Sequence, residues 1–252
     1  MNEFCVVCGL LEPMHKIWCD KKMNKVELIG YYGSDSVHAQ SAWTSTSRDL
    51  TEDKLERIPK LLKMLASEGH ETPFEKSMLH FLVTVEQATH IHLLKHRIGV
   101  SINGESARYK ELKEDKMYLP KDWKGMQTKK TLYLHDEENG DELSWKKGTE
   151  WSSILEDYAE MGNYLYHKCL EDLTPALGRK RAKESARFFK TFNSQITMDI
   201  SFNFRSFVHF QRLRNSEHAQ LEVRELASNM LQLVKNIEGN PFKYTIEAFF
   251  NN

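Results

Sequence analysis

Between residues 95 and 109 the chain reads Lys95-His96-Arg97-Ile98-Gly99-Val100-Ser101-Ile102-Asn103-Gly104-Glu105-Ser106-Ala107-Arg108-Tyr109, and this stretch limits the folds open to it. Lys95, Arg97 and Arg108 are cations, and Glu105 is the one carboxylate inside the stretch. Burying an unpaired cation is too costly for a core to hold these side chains. The segment must therefore be a surface loop that meets either solvent or an anionic ligand, with the core built by the segments on either side.

Those flanking segments read as a mixture of strands and helices. Val26 to Tyr32 is a short apolar run ending at Gly33, an edge strand by pattern. His38 to Arg48 is small and polar around Trp43. Thr51 is placed to cap a helix with Leu55, Ile58, Leu62 and Leu65 at helical spacing, and Pro59 predicts a kink or break inside it. His70 to Glu75 is a turn dense in functional groups, and Met78 to Val85 a strand. Glu86 to His96 predicts a helix with Ala88, Ile91 and Leu94 inward and His92 and His96 sharing a face.

Residues 110–148 are charge-rich and read as a surface excursion. From Trp151 a helical stripe of Ile154, Leu155, Tyr158, Met161, Leu165 and Cys169 follows, punctuated by Pro175 and Gly178. Arg179 to Phe189 predicts a short basic helix, and Thr191 to Phe202 a half-buried strand. The last third is the most regular. Asn203 to Leu213 predicts a helix with Phe204, Phe207 and Val208 on one side and Arg205, His209 and Arg212 on the other. Ser216 can cap a further helix with the stripe Ala219, Val223, Leu226, Met230 and Leu233, and Pro241 can open a final short one.

A formal net charge of −1 argues against a general nucleic-acid binder, and no apolar run approaches the roughly eighteen residues of a membrane span. The opening residues lack the apolar core of a secretion signal, so the expected location is cytoplasmic. Cys5, Cys8, His15 and Cys19 could ligate zinc, but their spacing matches no common finger. The simpler reading is an N-terminal extension over residues 1–22 with free thiols, ahead of one domain over 23–252, and no resident metal.

Four groups carry the candidate chemistry: residues 70–75, residues 95–109, Arg187, and residues 203–218. They supply Lys95, Arg97, Arg108, Arg187, Arg205 and Arg214, with hydroxyls at Thr72, Ser101 and Ser106. Guanidinium groups bind phosphate oxygens in pairs, so this inventory suits a phosphate-bearing ligand; scattered surface arginines are the alternative. No P-loop, dinucleotide fingerprint or nucleophile elbow is present, and Cys169 lies on an apolar stripe. An enzyme built this way would leave the hard chemistry to a cofactor.

Together these groups resemble the flavin-dependent thymidylate synthase family. That family is marked by an Arg-His-Arg triplet, a short loop and a Ser-x-Arg-Tyr ending; the counterparts are Lys95-His96-Arg97 and Ser106-Ala107-Arg108-Tyr109. Gly69-His70-Glu71-Thr72-Pro73-Phe74-Glu75 is similar to the family's upstream segment. Asn203-Phe204-Arg205-Ser206, Arg214 and His218-Ala219-Gln220 are similar to its C-terminal region. Two departures stand out. Lys95 replaces the first arginine with a point charge, and the eight residues between Arg97 and Ser106 are one more than the family pattern. The family's loop glutamate thus corresponds to Glu105, or its position is taken by Gly104.

The resemblance implies an α+β fold with a central antiparallel sheet and long helices, assembled as a homotetramer with active sites shared between subunits. It implies conversion of dUMP to dTMP by FAD, with methylenetetrahydrofolate as carbon donor and NADPH as reductant. FAD would meet His70, Thr72, Glu75, His96, Arg97, Ile98, Asn203, Arg205, His209 and His218, with Ser45 and Glu105 as further candidates. His92, Lys95, Glu105, Ser106, Ala107, Arg108, Arg187 and Arg214 would hold dUMP. Arg214 would face the pyrimidine and Ser106 would position the nucleotide or a water. The competing reading is a non-catalytic nucleotide- or nucleic-acid-binding protein, colourless and with steeply salt-dependent binding.

Overall fold

The computed structural model describes residues 22–47, 49–135 and 142–250. They form two compact units, one of residues 24–84, 89–104 and 197–250, the other of residues 22–23, 85–88 and 105–196. The Cys5, Cys8, His15 and Cys19 group lies outside the described residues.

The first unit is organised by a four-stranded sheet in the order β1-β2-β6-β3, from β1 (Lys25–Tyr32), β2 (Met78–Glu86), β3 (Val100–Gly104) and β6 (Gln195–Phe202). The pairs β1–β2 and β3–β6 are antiparallel, and β1 is an edge, as its sequence suggested. Strand alternation sends Leu79, Phe81 and Val83 of β2 and Met198, Ile200 and Phe202 of β6 into the core. Helix α6 (Phe204–Arg214) covers that face: Phe207 stacks on Phe81 with ring centres 5.9 Å apart, and Phe210 lies 5.2 Å from Phe202. Helix α7 (Leu221–Lys235) adds buried Val223, Leu226, Met230 and Val234.

Several local expectations are corrected. His38 lies in a helix, α1 (Asp35–Trp43), which Ser34 caps by accepting from the Val37 amide. The polar look of this segment arises because α1 buries His38 and Asp35 with partners instead of apolar side chains. Helix α2 (Glu52–Ser67) runs unbroken through Pro59, its buried face of Ile58, Leu62 and Leu65 holding it together. Helix α3 (Gln87–Leu93) is shorter than expected, and it buries Thr89 and Leu93 while Ile91 and Leu94 are exposed. Gln220, not Ser216, precedes the first turn of α7. Helix α8 (Lys243–Phe250) closes the unit.

The second unit holds the hairpin of β4 (Leu132–His135) and β5 (Glu142–Trp145), the long α4 (Trp151–Leu177) and α5 (Arg179–Ala186). Its core gathers Tyr166, Leu170, Ala182 and Ala186, and the Leu112 amide donates to Tyr166 Oη at 3.1 Å. Residues 110–148 contribute buried Met117, Tyr118 and Thr128. The expected inward stripe of α4 holds at Ile154, which is buried, and at Cys169, which packs against the core, but fails between them. Tyr158, Met161 and Leu165 are exposed, and the buried face is Ile154, Ala159, Gly162, Asn163, Tyr166 and Leu170. Small residues line it because backbone packs there: a Cβ on Gly162 would come within 2.6 Å of the Phe189 carbonyl oxygen.

Candidate active site

The turn that leads into β2 places the first group. Residues Thr72–Lys76 form a 3-10 turn whose Phe74 is buried against His38, with ring centres 5.2 Å apart. Burying Phe74 turns Glu75 toward α6. His38 is itself held by two hydroxyls, Thr245 Oγ1 at 2.9 Å and Ser77 Oγ at 2.8 Å, and burial pushes it down to about 3. Thr245 donates to Asp35 at 2.6 Å, so its oxygen is left to accept from His38 Nδ1, and Ser77 donates to Nε2.

The second group is strapped to the start of α6. Asn203 caps α6 by accepting from the Ser206 amide at 2.8 Å, and its own amide donates to the Gly99 carbonyl at 3.0 Å. Ser206 Oγ donates to the Ile98 carbonyl at 2.7 Å. Gly99 has φ of +64°, and a Cβ there would sit 2.3 Å from Ser206 Oγ, so the approach needs glycine. The strap leaves the Ile98 side chain 90% exposed.

Helix α6 carries the third group, with Arg205 in its first turn and Arg214 in its last. Arg205 donates through Nη1 to Glu75 at 2.5 Å and through Nε to Glu71 at 3.3 Å. Those carboxylates hold the Arg205 pKa above its ordinary value. At the other end of α6, Arg214 Nε donates to His96 Nε2 at 3.0 Å. His96 is buried, with its ring edge-on to Phe210 at 5.0 Å. Burial first, then Arg214, His209 and His92, push His96 down to about 4, so it is neutral at pH 7 with its proton on Nδ1.

Three distant stretches of sequence are thus linked along α6, by Arg205 to Glu75, Ser206 to Ile98 and Arg214 to His96, with the His209 ring 6.3 Å from that of His96 and Arg97 exposed beside it. His92 bonds Gln220 at 3.1 Å, Lys95 is exposed beyond α3, and His70 and Thr72 are exposed around the turn. His218 is exposed on the turn between α6 and α7, its amide donating to Ser216 Oγ. Ser45 is not drawn in by any hydrogen bond among the described residues; its hydroxyl donates to the Ala42 carbonyl.

The other substrate candidates belong to the second unit. Ser106 forms a tight turn, its carbonyl accepting from the Tyr109 and Lys110 amides at 3.0 and 2.9 Å. Arg108 donates to Glu184 at 2.6 Å, and Lys183 fixes the Tyr109 carbonyl at 2.7 Å. Glu105 accepts from Lys110 at 2.6 Å, whereas Gly104 ends β3 opposite Met198. Arg187 begins a 3-10 turn, Arg187–Phe189, after α5 and is exposed. Sequence reasoning missed Glu71 and Glu184, the carboxylates that orient Arg205 and Arg108; each sits in or beside a charged run that gives no sign of its distant partner. No group of three or more His, Cys, Asp or Glu among the described residues is placed to hold a metal.

Comparison with known proteins gives a consistent picture. Residues 27–238 match the family model described as thymidylate synthase complementing protein. A flavin-dependent thymidylate synthase from Pseudothermotoga lettingae is 31% identical over 224 residues, 89% of each chain. One from Kosmotoga olearia is 28% identical over 229 residues, 90% of each chain. Among solved structures, a UMP/dUMP methylase, PolB from Streptomyces cacaoi, bound with 5-Br dUMP, superposes with a TM-score of 0.68 at 23% identity, over 92% of this chain and 96% of that one. The last shows a shared fold.

Proposed function

We propose the reaction of this chain, which belongs to the flavin-dependent thymidylate synthase family, to be the reductive methylation of dUMP to dTMP. Methylenetetrahydrofolate supplies the one-carbon unit and leaves as tetrahydrofolate, while NADPH supplies the two electrons and leaves as NADP⁺. FAD, when bound, supplies the hydride relay between reductant and the nascent methyl group.

The observation that carries this reading is the meeting of residues 71–75, 96–99 and 203–214 through Arg205–Glu75, Ser206–Ile98 and Arg214–His96. The donor set fits a flavin nucleotide. Arg205 offers guanidinium donors for phosphate, Asn203 and the 98–99 strap fix the backbone, and Ile98 offers apolar cover. His70, Thr72, Glu75, His96, Arg97, His209 and His218 are the other flavin contacts of the reading, with Ser45 and Glu105 as further candidates.

For dUMP, Arg108 and Arg187 supply phosphate donors, and His92, Lys95, Ser106 and Ala107 supply the remaining contacts, with Glu105 a further candidate. Arg214 faces the pyrimidine, where its fixed positive charge stabilises negative charge developing on the ring during carbon transfer. Neutral His96 holds that guanidinium without adding a competing charge. Ser106 positions the nucleotide or a water. No cysteine nucleophile is needed.

A homotetramer with active sites shared between subunits completes the reading. The exposed Tyr158, Met161 and Leu165 on α4 support it, since an apolar stripe of this kind is ordinarily covered. A cytoplasmic location agrees with the absence of any described helix long and apolar enough to cross a membrane. The reading is tested by reconstituting the purified protein with FAD and following anaerobic NADPH oxidation with and without dUMP. A flavin spectrum and dUMP-dependent oxidation are expected; failure to take up FAD would sink it.

A further inference from the structure

Two arginines of α6 share one carboxylate. Glu71 Oε2 accepts from Arg205 Nε and its Oε1 accepts from Arg212 Nη1, both at 3.3 Å. Arg205 and Arg212 lie seven residues apart, two helical turns along the same exposed face. Arg212 is fixed from a second direction, its guanidinium lying over the Phe249 ring at 5.5 Å. Phe249 in turn packs edge-on against buried Phe74 at 4.8 Å. The same turn that carries Glu71 and Glu75 therefore anchors both guanidiniums.

Half-exposed ion pairs of this kind contribute only about 0–1 kcal/mol to stability, so a stabilising role explains little. What the arrangement does is remove the freedom of two long side chains before a ligand arrives. A guanidinium carries five N–H donors. The carboxylate pairs engage Nε and Nη1 of Arg205 and Nη1 of Arg212, leaving most donors available. Two oriented guanidiniums bridged by one carboxylate match an anion with two linked phosphates better than one with a single phosphate.

We propose that Arg212 is a cofactor-binding residue of this chain, gripping the diphosphate of the flavin dinucleotide together with Arg205, and that Glu71 is the positioning residue that sets the pair. The inference rests on the reading that Arg205 faces the flavin phosphates. Arg212 adds a grip on the second phosphate, so it favours the dinucleotide over the mononucleotide.

The test titrates the full-length, flavin-stripped protein with FAD and with FMN, following quenching of flavin fluorescence at several salt concentrations. Arg212→Gln is expected to weaken FAD at least about tenfold, the usual scale for a charged hydrogen bond, while weakening FMN less, so that the preference for FAD narrows. Glu71→Gln should shift FAD affinity in the same direction, and the double variant should fall short of the sum of the two losses. A melting temperature measured alongside separates folding from binding. Unchanged FAD and FMN affinities in Arg212→Gln, with or without a lower melting temperature, would overturn the proposal and leave a surface ion pair. Tighter FAD binding in Glu71→Gln would also overturn it, by making Glu71 a competitor of the phosphates. Failure of the underlying reading is distinct: the wild-type chain itself would take up neither flavin, and both would fall.

Discussion

Arg214 Nε donates to His96 Nε2 across 3.0 Å, joining the last turn of α6 to the third residue after α3. The bond exists only while Nε2 is unprotonated, and burial with three cationic or potentially cationic neighbours keeps it so. His96 thereby aims the guanidinium instead of competing with it. Arg214→Ala should abolish dTMP formation while FAD stays bound. Arg214→Lys keeps the charge and loses the fork, and should lower kcat by about 10²-fold or more. Loss of FAD in Arg214→Ala would mean that its role is misassigned.

The tautomer gives a second check. Long-range nitrogen–proton correlation NMR on the folded protein at pH 7 should find His96 neutral, protonated on Nδ1 alone. A His96 signal protonated on Nε2 would break the proposed link to Arg214.

Gly99 is held at φ +64° with Asn203 and Ser206 where its side chain would be. Gly99→Ala has to displace the groups that cap α6 and hold the Ile98 carbonyl. It should cost on the order of 2 kcal/mol of stability and weaken FAD, read by thermal melting and flavin titration. An unchanged melting temperature would show that the strap is looser than described.

His38 predicts a pH dependence of stability. Its folded value of about 3 lies below the ordinary 6.5, so the unfolded chain binds the proton more readily. The stabilisation is fully present above about pH 6.5 and is lost progressively as pH falls toward 3, up to on the order of 4 kcal/mol. His96 acts with the same sign; Asp35, pushed up mainly by burial, acts with the opposite one. In denaturant titrations across this range, His38→Gln should flatten the slope, and an unchanged slope would refute the assignment.

Gly162 tests the second unit in the same spirit. Gly162→Ala drives a Cβ to within 2.6 Å of the Phe189 carbonyl, in the turn that begins with Arg187. Binding of dUMP should weaken more than that of FAD, measured by calorimetry on the FAD-loaded protein. Equal losses for both ligands would point to general unfolding instead.

How much of this was legible in the sequence depended on where the partner lay. The faces of α6 could be read from spacing alone, because aromatic and basic side chains separate cleanly at a helical period. The faces of α4 could not. Its buried side uses Ala159, Gly162 and Asn163, which look polar or neutral by composition, while its apolar stripe is left exposed. Helix α1 was hidden for a related reason, its inward residues being Asp35 and His38 with partners near the end of the chain. The arginines of the site were visible as residue types. Their orientation by Glu71, Glu184 and His96 was not, since each pairing spans 76 to 141 residues.

The most direct test of the central claim is product analysis. FAD-loaded protein is incubated anaerobically with dUMP, NADPH and methylenetetrahydrofolate carrying a labelled methylene carbon. The label should appear in the 5-methyl group of dTMP, with one NADPH oxidised per dTMP formed. NADPH oxidation with no labelled dTMP, at saturating concentrations of all three substrates, would contradict the account.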